Sequence, residues 1–369
     1  MLPKSAEVVI VGGGVIGCAT AFWLAKAGLA PLLLERGQLA SEASGESAGV
    51  LSPPSEHDRS HTSLQFAVLG RWLFSSLSEE LRASTGMDIE HRQIGILVPL
   101  FKQADPRISH AWARSRRGSG VVVEVLDRKQ TLEAEPLLSD KVIGAIRYPE
   151  AGHVNARTLV LALAAAARRH GATISAGSPV HSIQREGDKV SGVRSGDGTI
   201  STRTVVLAAG SWSGLLGEAL GIPIPVSPAR GQLVLVRPGQ GIPRHIVFSD
   251  DTYLIPTTQA EIIMGTTVEF VGYDKRSTVS GVQGILGGAS EVIPDVANAT
   301  LLRTWAGLRP HTPDELPLLG RHPGLDGLIL ATGHYRSGIL LGPLTGVLIQ
   351  ELILDRTPSI SLQPFRPDR

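Results

Sequence analysis

The chain has 369 residues, 42% of them hydrophobic and 19% charged, a balance that buries a sizeable core in two lobes or one large α/β body and excludes a disordered chain. Its 35 basic and 34 acidic residues leave a net charge of +1, which excludes the field needed to hold nucleic acid or an anionic membrane, so a specific pocket does the recognising. Cys18 is the only cysteine; this excludes an intramolecular disulfide and a cysteine-built metal cluster, and suits a reducing cytoplasm.

Residues 7–11 form a β-branched run, Gly12 to Gly14 break it, and 15–28 have helical spacing before a second apolar run at 31–34. The chain therefore opens with a βαβ unit, and the glycines in its middle argue against a signal peptide or a membrane span. Apolar residues at helical intervals predict a long helix over 63–85, packed on the same lobe. Strands follow at 94–100 and 121–126, flanking a basic helix around Arg114, Arg116 and Arg117 that reads as a solvated face. A strand at 142–148 leads into an Ala-rich helix, 155–171, then short strands at 173–176 and 190–194 and a turn at 195–198. The run 204–209 is apolar throughout, the pattern of a buried parallel strand, and ends at Ala209-Gly210-Ser211-Trp212, where ligands of open α/β sheets sit. Short strands alternate with turns over 233–268. A helix over 281–293, a strand over 328–331 and a closing helix over 339–354 complete the chain, with no repeat and no low-complexity linker.

The strongest local signal is Gly12-Gly13-Gly14-Val15-Ile16-Gly17, placed directly after a strand and at the start of a helix. Gly12 permits the tight turn, Gly14 lets a pyrophosphate approach the backbone, and Gly17 lets helix and strand pack closely with the helix N-terminus facing the anion. Glu35 ends the second strand, where its carboxylate can accept hydrogen bonds from ribose hydroxyls. Cys18, next to this motif, reads as a small packing residue. His57 and His61 have no metal-ligand spacing and read as surface residues; no metal is expected.

The fingerprint serves NAD and FAD alike, but Ser41-Glu42-Ala43-Ser44-Gly45-Glu46-Ser47-Ala48-Gly49-Val50-Leu51 is dense in small residues and can run along a second phosphate and a flat ring. Here the chain resembles the FAD-dependent amine and amino-acid oxidases of the D-amino-acid oxidase superfamily. Trp305-Ala306-Gly307-Leu308-Arg309-Pro310, then Thr312-Pro313-Asp314 and Leu316-Pro317-Leu318-Leu319-Gly320, are similar to a signature of that family. Gly333-His334-Tyr335-Arg336-Ser337-Gly338-Ile339-Leu340-Leu341-Gly342-Pro343 resembles its loop over the flavin ring. Together these segments are most similar to the glycine oxidase branch, and the resemblance covers nearly the whole chain.

The resemblance implies a Rossmann-like FAD-binding domain (1–85, 152–215 and 306–369) interleaved with an α+β substrate domain on an antiparallel sheet (86–151 and 216–305). It implies non-covalent FAD held by Gly12, Gly14, Val15, Ile16, Gly17, Glu35, Arg36, Ser44, Ser47, Ala48, Gly49, Val50, Leu51, Val180, Ala209, Gly210 and Trp212. His334, Arg336, Ser337, Gly338, Ile339 and Leu340 complete that set at the closing helix, whose positive end would stabilise charge on the reduced flavin. A small amino acid and molecular oxygen would be the partners, in a homo-oligomer, a tetramer by resemblance, linked to thiamine biosynthesis. Where glycine oxidases often carry Met this chain has Val50 and Val268, and Asp251 replaces a His two residues before the site tyrosine, which leaves the substrate range open.

The chemistry needs an α-hydrogen held against the flavin with the carboxylate clamped. Arginine is the natural clamp because its planar fork meets a carboxylate with two parallel hydrogen bonds. Arg309 occupies the family's clamp position, and the alternative is an ion pair with Asp314 or another neighbour. Tyr253 matches a tyrosine that also reaches the carboxylate, against the alternative of a core tyrosine; Arg336 matches a site-edge arginine, and His334 reads as a loop-orienting residue. Alongside the oxidase stand a dehydrogenase feeding a quinone, a covalent-flavin sarcosine oxidase disfavoured by the lack of a second cysteine, and a nucleotide-binding protein without turnover.

Overall fold

The computed structural model describes residues 2–52, 61–102, 120–196, 198–249 and 252–369. The expectations for Arg114, Arg116, Arg117, His57 and Asp251 fall outside these residues, and the His61 side chain is likewise not described.

The N-terminal apolar runs become the centre of a six-stranded sheet. Its order is Leu318–Arg321, Leu328–Thr332, Thr204–Leu207, Val8–Val11, Leu32–Leu34, Thr173–Ser175. All neighbours are parallel except the edge strand Leu318–Arg321. Successive side chains alternate between two cores, which is why these strands read as continuous apolar runs. Ile10, Leu33 and Val206 meet the helices Val15–Lys26, Ala156–Arg169 and Gly338–Ile353. Val9, Val11, Leu32 and Leu34 point to the other face, covered by the three-stranded sheet Val180–Glu186, Lys189–Ser195, Gly198–Ser201. The first of those strands, half-exposed and polar, carries no apolar run and went unread in the sequence.

The second sheet has eight strands, in the order Thr300–His311, Ser227–Arg237, Ile262–Gly265, Tyr253–Pro256, Ile246–Phe248, Ile96–Leu100, Gly144–Tyr148, Glu124–Asp127. It is antiparallel except where Ile246–Phe248 meets Ile96–Leu100. Helix Val279–Val292 covers one face through Ile285, Ala289 and Val292. The other face carries Leu233, Tyr253, Ile255 and Trp305 and packs on Ala48, the small-residue stretch of the first lobe. Mixed α/β architecture with a parallel and an antiparallel sheet is what the sequence implied. Strand Thr300–His311 runs through residue 306, with Gly231 opposite Gly307 and Ala229 opposite Arg309, so 306–311 stand in the eight-stranded sheet.

Candidate active site and cofactor cleft

The glycine loop is shaped by contacts that a side chain would abolish. Gly12, at φ +114°, passes so close to the end of the neighbouring strand that a Cβ would lie 2.4 Å from the Ala208 carbonyl oxygen. Gly14 is the N-cap of helix Val15–Lys26 and offers no side chain to its first turn; the Val15 N–H instead donates to Ser44 Oγ at 3.0 Å. Both Glu35 oxygens accept backbone N–H groups, from Gly13 at 2.6 Å and Gly37 at 2.8 Å, which fixes the buried carboxylate at the loop. At Gly17 a Cβ would lie 1.9 Å from the Gly12 carbonyl oxygen, so this glycine serves helix packing behind the loop. Cys18 is fully buried, and burial, reinforced by Glu35, pushes its thiol up to about 12; it is a packing residue.

In front of this loop lies a cleft of about 840 Å³ between the two sheets. It is lined by every residue named from the sequence for cofactor or substrate except Gly17 and Leu51. Leu51 is fully buried in the first core, because its short strand Val50–Leu51 pairs with Gly152–His153 and alternation turns it away from the cleft while Val50 faces it. At one end the Arg36 guanidinium stacks 3.8 Å from the Trp212 ring centroid. On the far side His334 is buried, its Nε2 3.0 Å from Thr345 Oγ1, and burial drives its pKa down to about 3. The buried ring thus ties the loop to helix Gly338–Ile353 through Thr345. Beyond it Ser337 caps helix Gly338–Ile353 without a side-chain hydrogen bond, and Ile339 and Leu340 line the cleft.

At the opposite end stands Arg309. It donates to the Thr267 carbonyl at 3.1 Å and to Thr266 Oγ1 at 2.6 Å. Among the described residues no carboxylate lies within ion-pair distance of it, and Asp314 is taken by Arg369 at 2.7 Å. Burial pulls the guanidinium below its ordinary value, opposed by Tyr253 and assisted by Arg336. Burial likewise raises the Tyr253 hydroxyl, while Arg309, Thr266 and Arg336 pull it down. Arg309, Tyr253 and Arg336 are therefore gathered at one point. Arg336 is exposed, its guanidinium 5.2 Å from the Tyr335 ring. Sequence reasoning missed Thr266, Thr267, Phe248 and Gly231, all but Thr267 lining this end. The room for the Arg309 fork exists because Gly231, opposite Gly307, has no side chain; a Cβ there would lie 2.1 Å from the guanidinium. Gly265-Thr266-Thr267 after an apolar strand was the legible trace of the hydroxyl pair.

A parallel sheet with a pinched glycine loop and a long cleft along its carboxyl ends is the arrangement of a dinucleotide-dependent enzyme, and among the described residues the arginine in that cleft has no acid partner. The chain belongs to the FAD dependent oxidoreductase family, whose description matches residues 7–352. It is 36% identical to the glycine oxidase of Geobacillus kaustophilus, over 97% of this chain and 96% of that one. The crystal structure of that oxidase superposes with a TM-score of 0.94 at 35% identity, covering 100% of this chain and 99% of that chain. A bifunctional protein ThiO/ThiG of Synechocystis is 35% identical over 100% of this chain, which spans 54% of that longer protein. The L-proline dehydrogenase of P. horikoshii superposes with a TM-score of 0.91 at 26% identity, covering 99% of this chain and 98% of that chain. The residues present fit FAD: Gly12, Gly13 and Gly14 line the cleft with backbone and no side chain, the N-cap of the helix behind them is a glycine, and the cleft continues past the small-residue stretch to the second helix end.

Proposed function

We propose that this enzyme oxidatively deaminates glycine and other small amines and D-amino acids, such as sarcosine and D-alanine. The observation that carries the reading is Arg309, which faces the cleft with only neutral acceptors on it among the described residues. A half-buried cation whose partners are a hydroxyl and a carbonyl keeps its charge for an incoming carboxylate. The Arg309 fork binds that carboxylate, the Tyr253 hydroxyl adds a hydrogen bond, and Arg336 supplies positive potential at the rim. Phe248, Tyr253 and Val268, all lining the cleft, limit the room beside the α-carbon and favour a small substituent. The Gly12–Ile16 loop, Glu35, Arg36, Ser44 and the Ala48–Val50 stretch would hold FAD, which would supply a two-electron acceptor for the α-hydrogen and its electron pair, with molecular oxygen as the final oxidant and hydrogen peroxide as its product. Water then hydrolyses the imine to a 2-oxo acid and ammonia or amine. The likeness to ThiO/ThiG supports a place in thiamine biosynthesis. We assign the FAD side to 1–85, 152–215 and 306–369 and the substrate side to 86–151 and 216–305, with strand Thr300–His311 shared across the junction.

A second reading keeps the same clamp but delivers electrons to a quinone; the likeness to L-proline dehydrogenase favours it. The test is Arg309→Ala. The variant is expected to purify yellow and to lose glycine turnover by about 10²-fold or more in kcat/KM, from two charge-assisted hydrogen bonds; unchanged kcat/KM would remove the clamp from the reading.

A further inference from the structure

Two arginines stand near each other on the paired strands Ser227–Arg237 and Thr300–His311, and the fold gives them opposite partners. Arg230, buried, donates to Glu269 Oε2 and lies 3.2 Å from Asp274. Arg309, on the partner strand, meets only Thr266 Oγ1 and the Thr267 carbonyl. Between them runs a continuous chain of contacts. Glu269 Oε1 accepts from the Thr267 hydroxyl at 2.5 Å and from the Gln232 side-chain amide at 2.8 Å. The Gln232 backbone N–H donates to Thr267 Oγ1 at 3.0 Å, and Glu269 and Arg230 exchange backbone hydrogen bonds of 3.0 and 2.8 Å. Thr267 is thus held by its side chain from behind while its carbonyl holds Arg309 in front.

We infer that Glu269 is a positioning residue for the Arg309 clamp. It pins Thr267, and so fixes the carbonyl that sets the tilt of the Arg309 fork. At the same time Arg230 consumes its negative charge, so the acid nearest the Thr266–Thr267 segment does not neutralise the arginine meant for substrate. An acid left free in this position would compete with a substrate carboxylate for Arg309; an acid absent from it would leave the Thr267 carbonyl, and with it the fork, without a fixed direction. This inference rests on the reading of Arg309 as the carboxylate clamp.

The experiment uses the FAD-loaded protein and titrates acetate while following the visible flavin spectrum, with kcat and KM for glycine and a thermal melt measured on the same samples. Glu269→Ala is expected to raise the acetate Kd and glycine KM about tenfold with a much smaller change in kcat, and Glu269→Gln, which keeps an acceptor for the Thr267 hydroxyl, to restore most of the affinity. Thr267→Val removes the same link without altering charge, and is expected to weaken acetate several-fold even if Glu269→Ala does not fold. Wild-type acetate affinity in Thr267→Val, or in a folded Glu269→Ala, would overturn the inference provided Arg309→Ala still abolishes acetate binding. Wild-type affinity in Arg309→Ala would instead overturn the clamp reading, and the inference with it.

Discussion

Replacing Gly231 by Ala should separate stability from function at this site. The added Cβ would lie 2.1 to 2.3 Å from three atoms of the Arg309 guanidinium, which are the nearest atoms it would meet. Ordinary contact begins near 3.4 Å, so the fork must retreat by about 1.2 Å. An arginine head is the far end of a flexible side chain, and the strand pair around Gly231 and Gly307 has no reason to open, so the cost to folding should stay below about 1.5 kcal/mol. The cost to turnover is larger, because a misplacement of ~1 Å at a positioning group loses roughly 10²-fold. The assay is a thermal melt beside kcat/KM for glycine, with the flavin-to-protein ratio recorded. A yellow, folded variant that has lost about two orders of magnitude in kcat/KM fits the geometry. Wild-type kcat/KM in that variant would mean that the fork is not where substrate binds, and a variant that fails to fold would mean that the guanidinium cannot move as described.

Glu35→Gln should weaken FAD about tenfold in titrations of the apoprotein, because the Glu35 carboxylate accepts N–H groups from both Gly13 and Gly37 and an amide turns one acceptor into a donor. The thiol of Cys18, pushed up to about 12, should stay unreactive toward disulfide reagents in the native protein at pH 8 and titrate fully on unfolding, and Cys18→Ala should keep turnover. Buried His334 and His153 have folded pKa values of about 3 and about 4, both below the ordinary 6.5. The unfolded chain therefore binds the extra protons, so their contribution to stability is complete above pH 6.5 and is lost as pH falls toward these values, by up to about 1.4 kcal/mol per pH unit for each. Denaturant melts at pH 7 and pH 5 should show this loss, and His334→Gln should flatten it in part.

The parallel sheet was legible because every one of its central strands is apolar on both faces, and the glycine fingerprint because backbone contacts as close as that of Gly12 to Ala208 tolerate no other residue. That Arg309 and Tyr253 stand close together was expected only through resemblance, since nothing in their local spacing brings residues 253 and 309 together. That proximity comes from register across four strands of the eight-stranded sheet. The same register hid Gly231, Thr266 and Thr267, whose roles exist only once strands Ser227–Arg237 and Thr300–His311 pair along their length. That the Leu51 side chain turns to the core was not legible for a related reason: an unbroken small-residue run gives no sign of where a two-residue strand begins to alternate. Strand Val180–Glu186 escaped because its exposed face is polar and its buried face contributes little more than Ile183.

The most direct test of the account is to mix the purified protein anaerobically with glycine, follow the yellow flavin band, and then admit air while assaying peroxide. Oxidation of a small amino acid at the Arg309 clamp requires the band to bleach with glycine in the wild type but not in Arg309→Ala, and to return on air with stoichiometric peroxide. A band that glycine, sarcosine and D-alanine all leave unchanged, or that bleaches equally in Arg309→Ala, would contradict it.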